Sequence, residues 1–187
     1  MAYGFALFET SIGACGVVWG SKGLLGLQLP EVDDAKTRAR VLRRWPQARE
    51  VPPPAGVQRA LDRITALLRG EASDLSAIPL DMEDVPDFNR RVYEVARTVP
   101  PGATITYGEI AARLGDPQDA RAVGEAMGRN PFAIVVPCHR VVAANGKMGG
   151  FSANGGVATK QRMLIIEGAL KPPPLTLFDN TIWGGDL

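Results

Sequence analysis

Thr106-Tyr107-Gly108-Glu109-Ile110-Ala111-Ala112-Arg113-Leu114-Gly115-Asp116-Pro117 reads as one short helix with its start, packing face and stop all written out. Thr106 and Glu109 have the spacing of a capping box: the threonine hydroxyl accepts from the third helical N–H, and the glutamate reaches back to the cap. Ile110, Ala111 and Leu114 supply an apolar face, and Gly115-Asp116-Pro117 ends it. A second helix is predicted from Gln118 to Gly128, broken by Asn130-Pro131. Two short helices joined by a glycine-containing turn make a helix-turn-helix. The second is lined with small residues (Ala120, Ala122, Gly124, Ala126), and only Arg121 projects far from that surface. A mid-helix glycine costs about 1 kcal/mol against alanine. Small side chains let a helix enter a narrow groove, whereas a major-groove reader needs long polar ones. An alanine-rich helix packed on a neighbour fits the same pattern equally well.

Upstream, three short apolar runs are separated by glycine-bearing turns: Phe5 to Thr10, Ala14 to Trp19 and Leu24 to Leu29. They are predicted to be sequential antiparallel strands. A helix follows from about Asp34 to Trp45, then the connector Pro52-Pro53-Pro54. Val57, Leu61, Ile64 and Leu68 keep the spacing of a helix with one buried face, closed by Gly70. Ile78 to Met82 reads as an edge strand, where Pro79 is tolerated. The acidic segment Glu83 to Asp87 is the best linker, and Phe88, Val92, Val95 and Val99 open another helix, ended by Pro100-Pro101-Gly102. Nothing in this N-terminal part looks catalytic.

Downstream, Phe132-Ala133-Ile134-Val135-Val136 has the length and composition of a buried strand. Pro137 ends it, and Cys138, His139 and Arg140 follow. A nearby histidine or cation lowers a thiol pKa and raises its thiolate population. Adjacent residues on a strand point to opposite faces, so contact between Cys138 and His139 needs a turn or a bridging water. A packed free cysteine beside a locally bonded histidine is the bland alternative. Gly149 to Gly156 is a glycine-rich loop suited to wrapping a flat ligand. It leads into a helix over about Val157 to Glu167, capped by Gly168. Glu167 sits at the end of the helix dipole that disfavours a carboxylate, which points to a specific partner, with His139 the candidate.

The chain of 187 residues is 45% apolar and 22% charged, the balance of a globular protein. No apolar run approaches the roughly 18 residues of a membrane helix, and Met1 to Phe5 lacks the basic start of a secretory signal. A cytoplasmic protein is expected. Two cysteines and one histidine make a poor closed zinc site, so no metal is expected, and a reducing compartment argues against a Cys15–Cys138 disulfide. Net charge is only +1, but Arg90 to Arg162 holds ten lysines or arginines against five acids. That is a modest sign of a phosphate-facing surface.

Pro137-Cys138-His139-Arg140-Val141-Val142 resembles the active-site motif of the O6-alkylguanine-DNA alkyltransferases. The likeness runs from about Phe88 to Gly168. It takes in the Thr-Tyr-Gly-Glu start, Ala120-Arg121-Ala122-Val123-Gly124, the Asn130-Pro131 step and the Ile166-Glu167-Gly168 ending. The resemblance implies an α+β protein: a small RNase H-like α/β domain over 1–85, then a mostly helical DNA-binding and alkyl-transfer domain over 86–170 with a helix-turn-helix. Residues 171–187, including Pro174 and Trp183, are left as a C-terminal extension. It implies that Cys138 accepts the alkyl group, that His139 is its general base through a water, and that Glu167 orients His139. Asn130 braces the active-site turn, and Tyr107 bonds the flipped base and helps protonate the departing guanine.

Further roles follow from the same resemblance. The carbonyls of Cys138 and Val141 accept from the exocyclic amine, and the Ser152 N–H donates to O6. Phe151, Ala133 and Gly149 flank the pocket. Arg121 fills the gap in the duplex, with Thr106, Ala122, Gly124 and Ala126 on the DNA-facing surface. Transfer is stoichiometric and irreversible, needs no cofactor, and takes as partner double-stranded DNA carrying O6-alkylguanine, with O4-alkylthymine a further candidate, the protein acting as a monomer. The competing readings are a non-catalytic lesion-binding protein, a helix-turn-helix regulator and a cysteine hydrolase. Cys15 is left to core packing.

Overall fold

The computed structural model describes residues 3–173. The three predicted strands form within two residues of their expected limits: β1 (Tyr3–Phe8), β2 (Cys15–Gly20) and β3 (Gly23–Gln28). They pair antiparallel, and a strand that the sequence reading missed, β4 (Ala48–Glu50), adds parallel to β1, giving the order β3-β2-β1-β4. At three residues, of which only Ala48 is buried, β4 is too short to show alternation. The segment at Ile78–Met82 makes one bridge, Leu80 beside Leu24, instead of a strand. The Leu24 N–H donates to Pro79 O and the Asp81 N–H to Leu24 O, and Pro79 has no N–H with which to extend the ladder.

Alternation along β2 sends its side chains to two cores. Val17 and Trp19 pack with helix α2 (Ala55–Leu68), which buries Leu61, Ile64 and Leu68 as its periodicity predicts. Val18 turns the other way, with Phe5, toward Val41 of helix α1 (Asp34–Arg44). The Asp33 carboxylate caps α1 by accepting from the Lys36 N–H at 2.7 Å.

The later part is mostly helical, so the whole is α+β: α3 (Asp87–Arg97), α4 (Tyr107–Arg113), α5 (Ala120–Gly128) and α6 (Val157–Ile166). The capping box at Thr106 and Glu109 is present. Pro117–Asp119 forms a 3-10 turn, so α5 starts two residues later than expected. Tyr93 of α3 ties α5 into this core by donating its hydroxyl to Ala126 O at 2.9 Å, and meets Phe132 edge to face at 6.3 Å. A two-residue parallel pairing, β5 (Ile105–Thr106) with β6 (Val141–Val142), fastens the start of α4 beside the Cys138 segment.

Residues 132–136 are buried as expected but are not a strand. Ile134 has φ of +73°, the Val136 N–H turns back to Phe132 O at 2.8 Å, and the Val135 N–H reaches Ala133 O. Asn130 replaces the missing ladder: its Nδ2 donates to Val136 O at 2.8 Å, and its Oδ1 accepts from the Phe132 N–H at 2.9 Å. The coil lets the run serve two cores. Ala133, Ile134 and Val135 pack toward the sheet, while Phe132 and Val136 pack among α3, α4 and α5.

The Leu27 N–H of β3 donates to Pro131 O at 2.8 Å, so the sheet edge and this coil are in direct register. Gly26 makes room for that contact. A Cβ there would lie 2.2 Å from the Trp45 ring and 3.0 Å from Pro131 O. Gly26→Ala is expected to lower stability by about 1–3 kcal/mol through overpacking, read from the urea unfolding midpoint; an unchanged midpoint refutes the close approach.

Candidate active site and nucleic-acid interface

Cys138 opens a 3-10 turn, Cys138–Arg140, that directly follows the Asn130-braced coil. It is half-buried and free, and it lines a cleft of about 630 Å³ with Tyr107, Arg121, Gly124, Phe151 and Ser152. Clefts of similar size lie around Trp19 and Arg63 and around Arg97 and Pro100, but neither is lined by a thiol. The chemistry distinguishes the Cys138 cleft, since its size does not.

His139 is fully buried behind Cys138, and its Nε2 lies 2.9 Å from Glu167 Oε1. Arg140 grips the same carboxylate with Nε to Oε2 and Nη2 to Oε1, both at 2.8 Å, and donates Nη1 to Val99 O. Burial works to raise the Glu167 pKa, but hydrogen bonds from Arg140 and His139 outweigh it and bring it down to about 2. The carboxylate is therefore ionised and can only accept, which places the histidine proton on Nε2. Burial, the largest influence, holds His139 below its ordinary pKa against the raising pull of Glu167. The result is a neutral imidazole whose Nδ1 is a lone-pair acceptor, buried and without a hydrogen-bond partner among the described residues.

Burial also pushes the Cys138 thiol up; the Asn130 side chain, the Lys160 charge and local N–H groups oppose it and do not prevail. This corrects the expectation from sequence, in which neighbouring charge lowers the thiol. The resting group is S–H, and reaction requires a base. Lys160 was not singled out from sequence, and Arg140, read there as a cation beside the thiol, pairs instead with Glu167. Lys160 is wholly buried and donates Nζ to Val141 O and Met148 O, both at 2.6 Å, with Nζ 5.9 Å from the Tyr107 ring centroid. The legible signal was its position on the α6 face shared with Met163 and Leu164, where a lysine should not be unless it has work to do.

Other predicted residues divide. Val141 is buried, and its carbonyl already accepts from Lys160; a second lone pair remains. Gly149 supports Tyr107 from behind: at φ +71°, a Cβ would lie 3.1 Å from the phenol oxygen. It is Gly150 that lines the cleft, together with Glu125, Met127 and Gly128. Ala133 is not at the cleft; it packs in the sheet-side core. Ala126 is buried under α5 and cannot face a groove, because its turn of helix is pinned by Tyr93. Ala122 and Gly124 are half-buried, and Thr106 is held by its capping box. Arg121 is the most open, with 93% of its side chain exposed and Nε 3.3 Å from Glu125 Oε1. Cys15, by contrast, is fully buried, its pKa pushed up by burial to about 12.

Residues 87–169 match the family model described as the 6-O-methylguanine DNA methyltransferase DNA-binding domain. The methylated-DNA–protein-cysteine methyltransferase of Mycobacterium tuberculosis H37Rv is 44% identical over 128 residues, 68% of this chain and 75% of that protein. The enzyme of the same name from Methanosarcina acetivorans is 34% identical, covering 88% of this chain and 98% of that one. A crystal structure of M. tuberculosis OGT in complex with DNA superposes with a TM-score of 0.71 at 33% identity, over 89% of this chain and 93% of that chain. The chain belongs to the methylated-DNA–protein-cysteine methyltransferase family.

The charge arrangement has a pH signature. His139 is held below its ordinary pKa, so the unfolded chain binds its proton first as pH falls through about 6.5, and stability drops from there. The Glu167 contribution is present above the unfolded carboxylate pKa and disappears as pH falls toward about 2. His139 is the only histidine in the chain. His139→Asn should therefore flatten the dependence of the urea midpoint between about pH 7 and 5.5; an unchanged slope rules out a buried neutral imidazole.

Proposed function

We propose that this protein repairs DNA by moving the alkyl group of an O6-alkylguanine onto Cys138, once per molecule and irreversibly. The observation that carries this reading is the cleft thiol backed by a buried neutral His139 whose Nε2–H is committed to Glu167. Nδ1 is then the base, taking the thiol proton through a water. The thiolate attacks the alkyl carbon in line: the S–C bond forms, the C–O6 bond breaks, and the electron pair passes to the guanine, which takes a proton from the Tyr107 hydroxyl, while the proton now on His139 returns to Tyr107 through solvent. Freeing Cys138 from the thioether would require another nucleophile to take the alkyl group and expel a thiolate, and the only other cysteine, Cys15, is buried in another core. The damaged DNA is itself the alkyl donor, so no cofactor enters the reaction.

Several placements belong to this proposal. The α4–α5 pair acts as the helix-turn-helix, with Ala122 and Gly124 toward the minor groove and Arg121 entering the stack when the base leaves. Carbonyls of Cys138 and Val141 and the Ser152 N–H read the flipped base, with Phe151 as an apolar wall. The antiparallel β3-β2-β1 order with a parallel fourth strand supports an RNase H-like domain over 1–85, ahead of a reactive domain over 86–170. The extension proposed for 171–187 falls outside the described residues from position 174 onward. No described helix is long and apolar enough to cross a membrane, and a monomer acting on duplex DNA in the cytoplasm fits these features.

Incubation with an oligonucleotide carrying one O6-methylguanine should add the mass of a single CH2 group to the Cys138 peptide and restore guanine. Cys138→Ser should bind the duplex without gaining mass. Repeated turnover, or no gain with the native protein, defeats the assignment. Arg121→Ala should slow repair in duplex more than reaction with the free modified base, since only the duplex demands extrusion; equal losses remove Arg121 from that role.

A further inference from the structure

Among the described residues lining the Cys138 cleft, Arg121 and Glu125 are the two that carry formal charge. They face each other one turn apart on α5, with 93% and 57% of their side chains exposed. An ion pair this open holds its members only weakly. The remaining lining is neutral and in good part apolar, from Met127, Phe151 and the glycines. In the resting protein the two charges offset one another at the mouth of the cleft.

Binding undoes that balance. The proposed role of Arg121 takes its guanidinium out of the cleft and into the base stack, and this inference rests on that reading. Glu125, on the same helix, does not follow, because its side chain is shorter and its carboxylate is repelled by the phosphates on either side. The reactive complex therefore keeps one unpaired negative charge on the lining of the cleft that holds Cys138. With duplex covering the mouth, water is displaced and the field of that charge strengthens.

We propose that Glu125 is a specificity-determining residue that selects uncharged O6 substituents and disfavours anionic ones. O6-methylguanine and other neutral O6-alkylguanines pass; O6-carboxymethylguanine, whose substituent ends in a carboxylate, reacts slowly. The transfer itself is the same for both, with the S–C bond formed and the C–O6 bond broken at the CH2 or CH3 carbon and the proton delivered to guanine. The two substituents differ in charge, and the buried Lys160 ammonium near Cys138 is the same in every Glu125 variant, so a change in the ratio on replacing Glu125 reports Glu125 alone.

The test is a ratio. Single-turnover rates are measured by intact mass on two duplexes identical except for O6-methylguanine or O6-carboxymethylguanine, using native protein, Glu125→Gln and Glu125→Lys. Neutralising Glu125 strengthens encounter with both duplexes alike, because they share the same phosphates, so that gain cancels in the ratio. Glu125→Gln should raise the carboxymethyl rate relative to the methyl rate by about three- to tenfold, and Glu125→Lys should raise it further. A ratio unmoved in both variants overturns the proposal while leaving repair intact. Failure of the native protein to methylate Cys138 at all overturns the functional reading first, and this inference with it.

Discussion

An ionised carboxylate sealed inside the protein is the constraint from which the reactive centre follows. Glu167 lies at the C-terminal end of α6, where the helix dipole opposes its charge, and its side chain is wholly buried. A charge there is tolerable only with close, well-directed partners. The guanidinium of Arg140 provides two of them and the His139 Nε2–H a third. Those partners are consecutive residues, so the backbone must bend for both to reach one carboxylate, and the 3-10 turn at Cys138–Arg140 is the bend. The same turn presents Cys138 to the cleft. Satisfying one buried anion thus fixes the histidine tautomer, the shape of the turn and the direction of the thiol together.

How much of this was legible depends on the range over which each signal acts. Local signals read correctly: the Thr106–Glu109 capping box, the buried stripe of α2 and the helix stop at Gly115. Glu167 was legible for the same reason, since a carboxylate at the wrong end of a helix dipole is a local anomaly that asks for a partner. Residues 132–136 were not, because a continuous apolar run reports burial without reporting conformation. What decides against a strand is Asn130, whose amide satisfies the two backbone groups that a neighbouring strand would otherwise have taken. Its side chain is short and ordinary in sequence, and its effect appears only when the coil closes around it. Ala126 and Ala133 were misplaced for a related cause: small residues suit a groove and a tight core equally, and only tertiary packing chooses.

The two cysteines show what separates a reactive thiol from an inert one here. Both are disfavoured as thiolates by burial. Cys15 remains fully enclosed with only the Thr10 hydroxyl, 3.8 Å away, to meet it. Cys138 has an open cleft in front and a prepared base behind. A permanently ionised thiol would be the more nucleophilic group, but it would also be open to oxidation. A protein that reacts once cannot lose its thiol to side reactions before a lesion arrives. Burial that keeps the resting group as S–H also keeps the thiol less open to oxidation.

Lys160 completes the electrostatic picture. Its ammonium is buried, bonded to two carbonyls from different segments, and set beside the Tyr107 ring. Neither carbonyl is a counter-ion, so burial pulls its pKa down while the Cys138 charge pulls it up. In the resting state, with the thiol protonated, this cation has no ion-pair partner among the described residues. In the proposed reaction the proton moves to His139 and a thiolate forms within the field of Lys160, so that interaction exists only along the reaction path. Stabilisation that is absent in the ground state lowers a barrier instead of tightening binding. Lys160 thus holds the Val141 and Met148 carbonyls beside the Tyr107 ring, and under the proposed reaction the same cation stabilises Cys138 as it ionises.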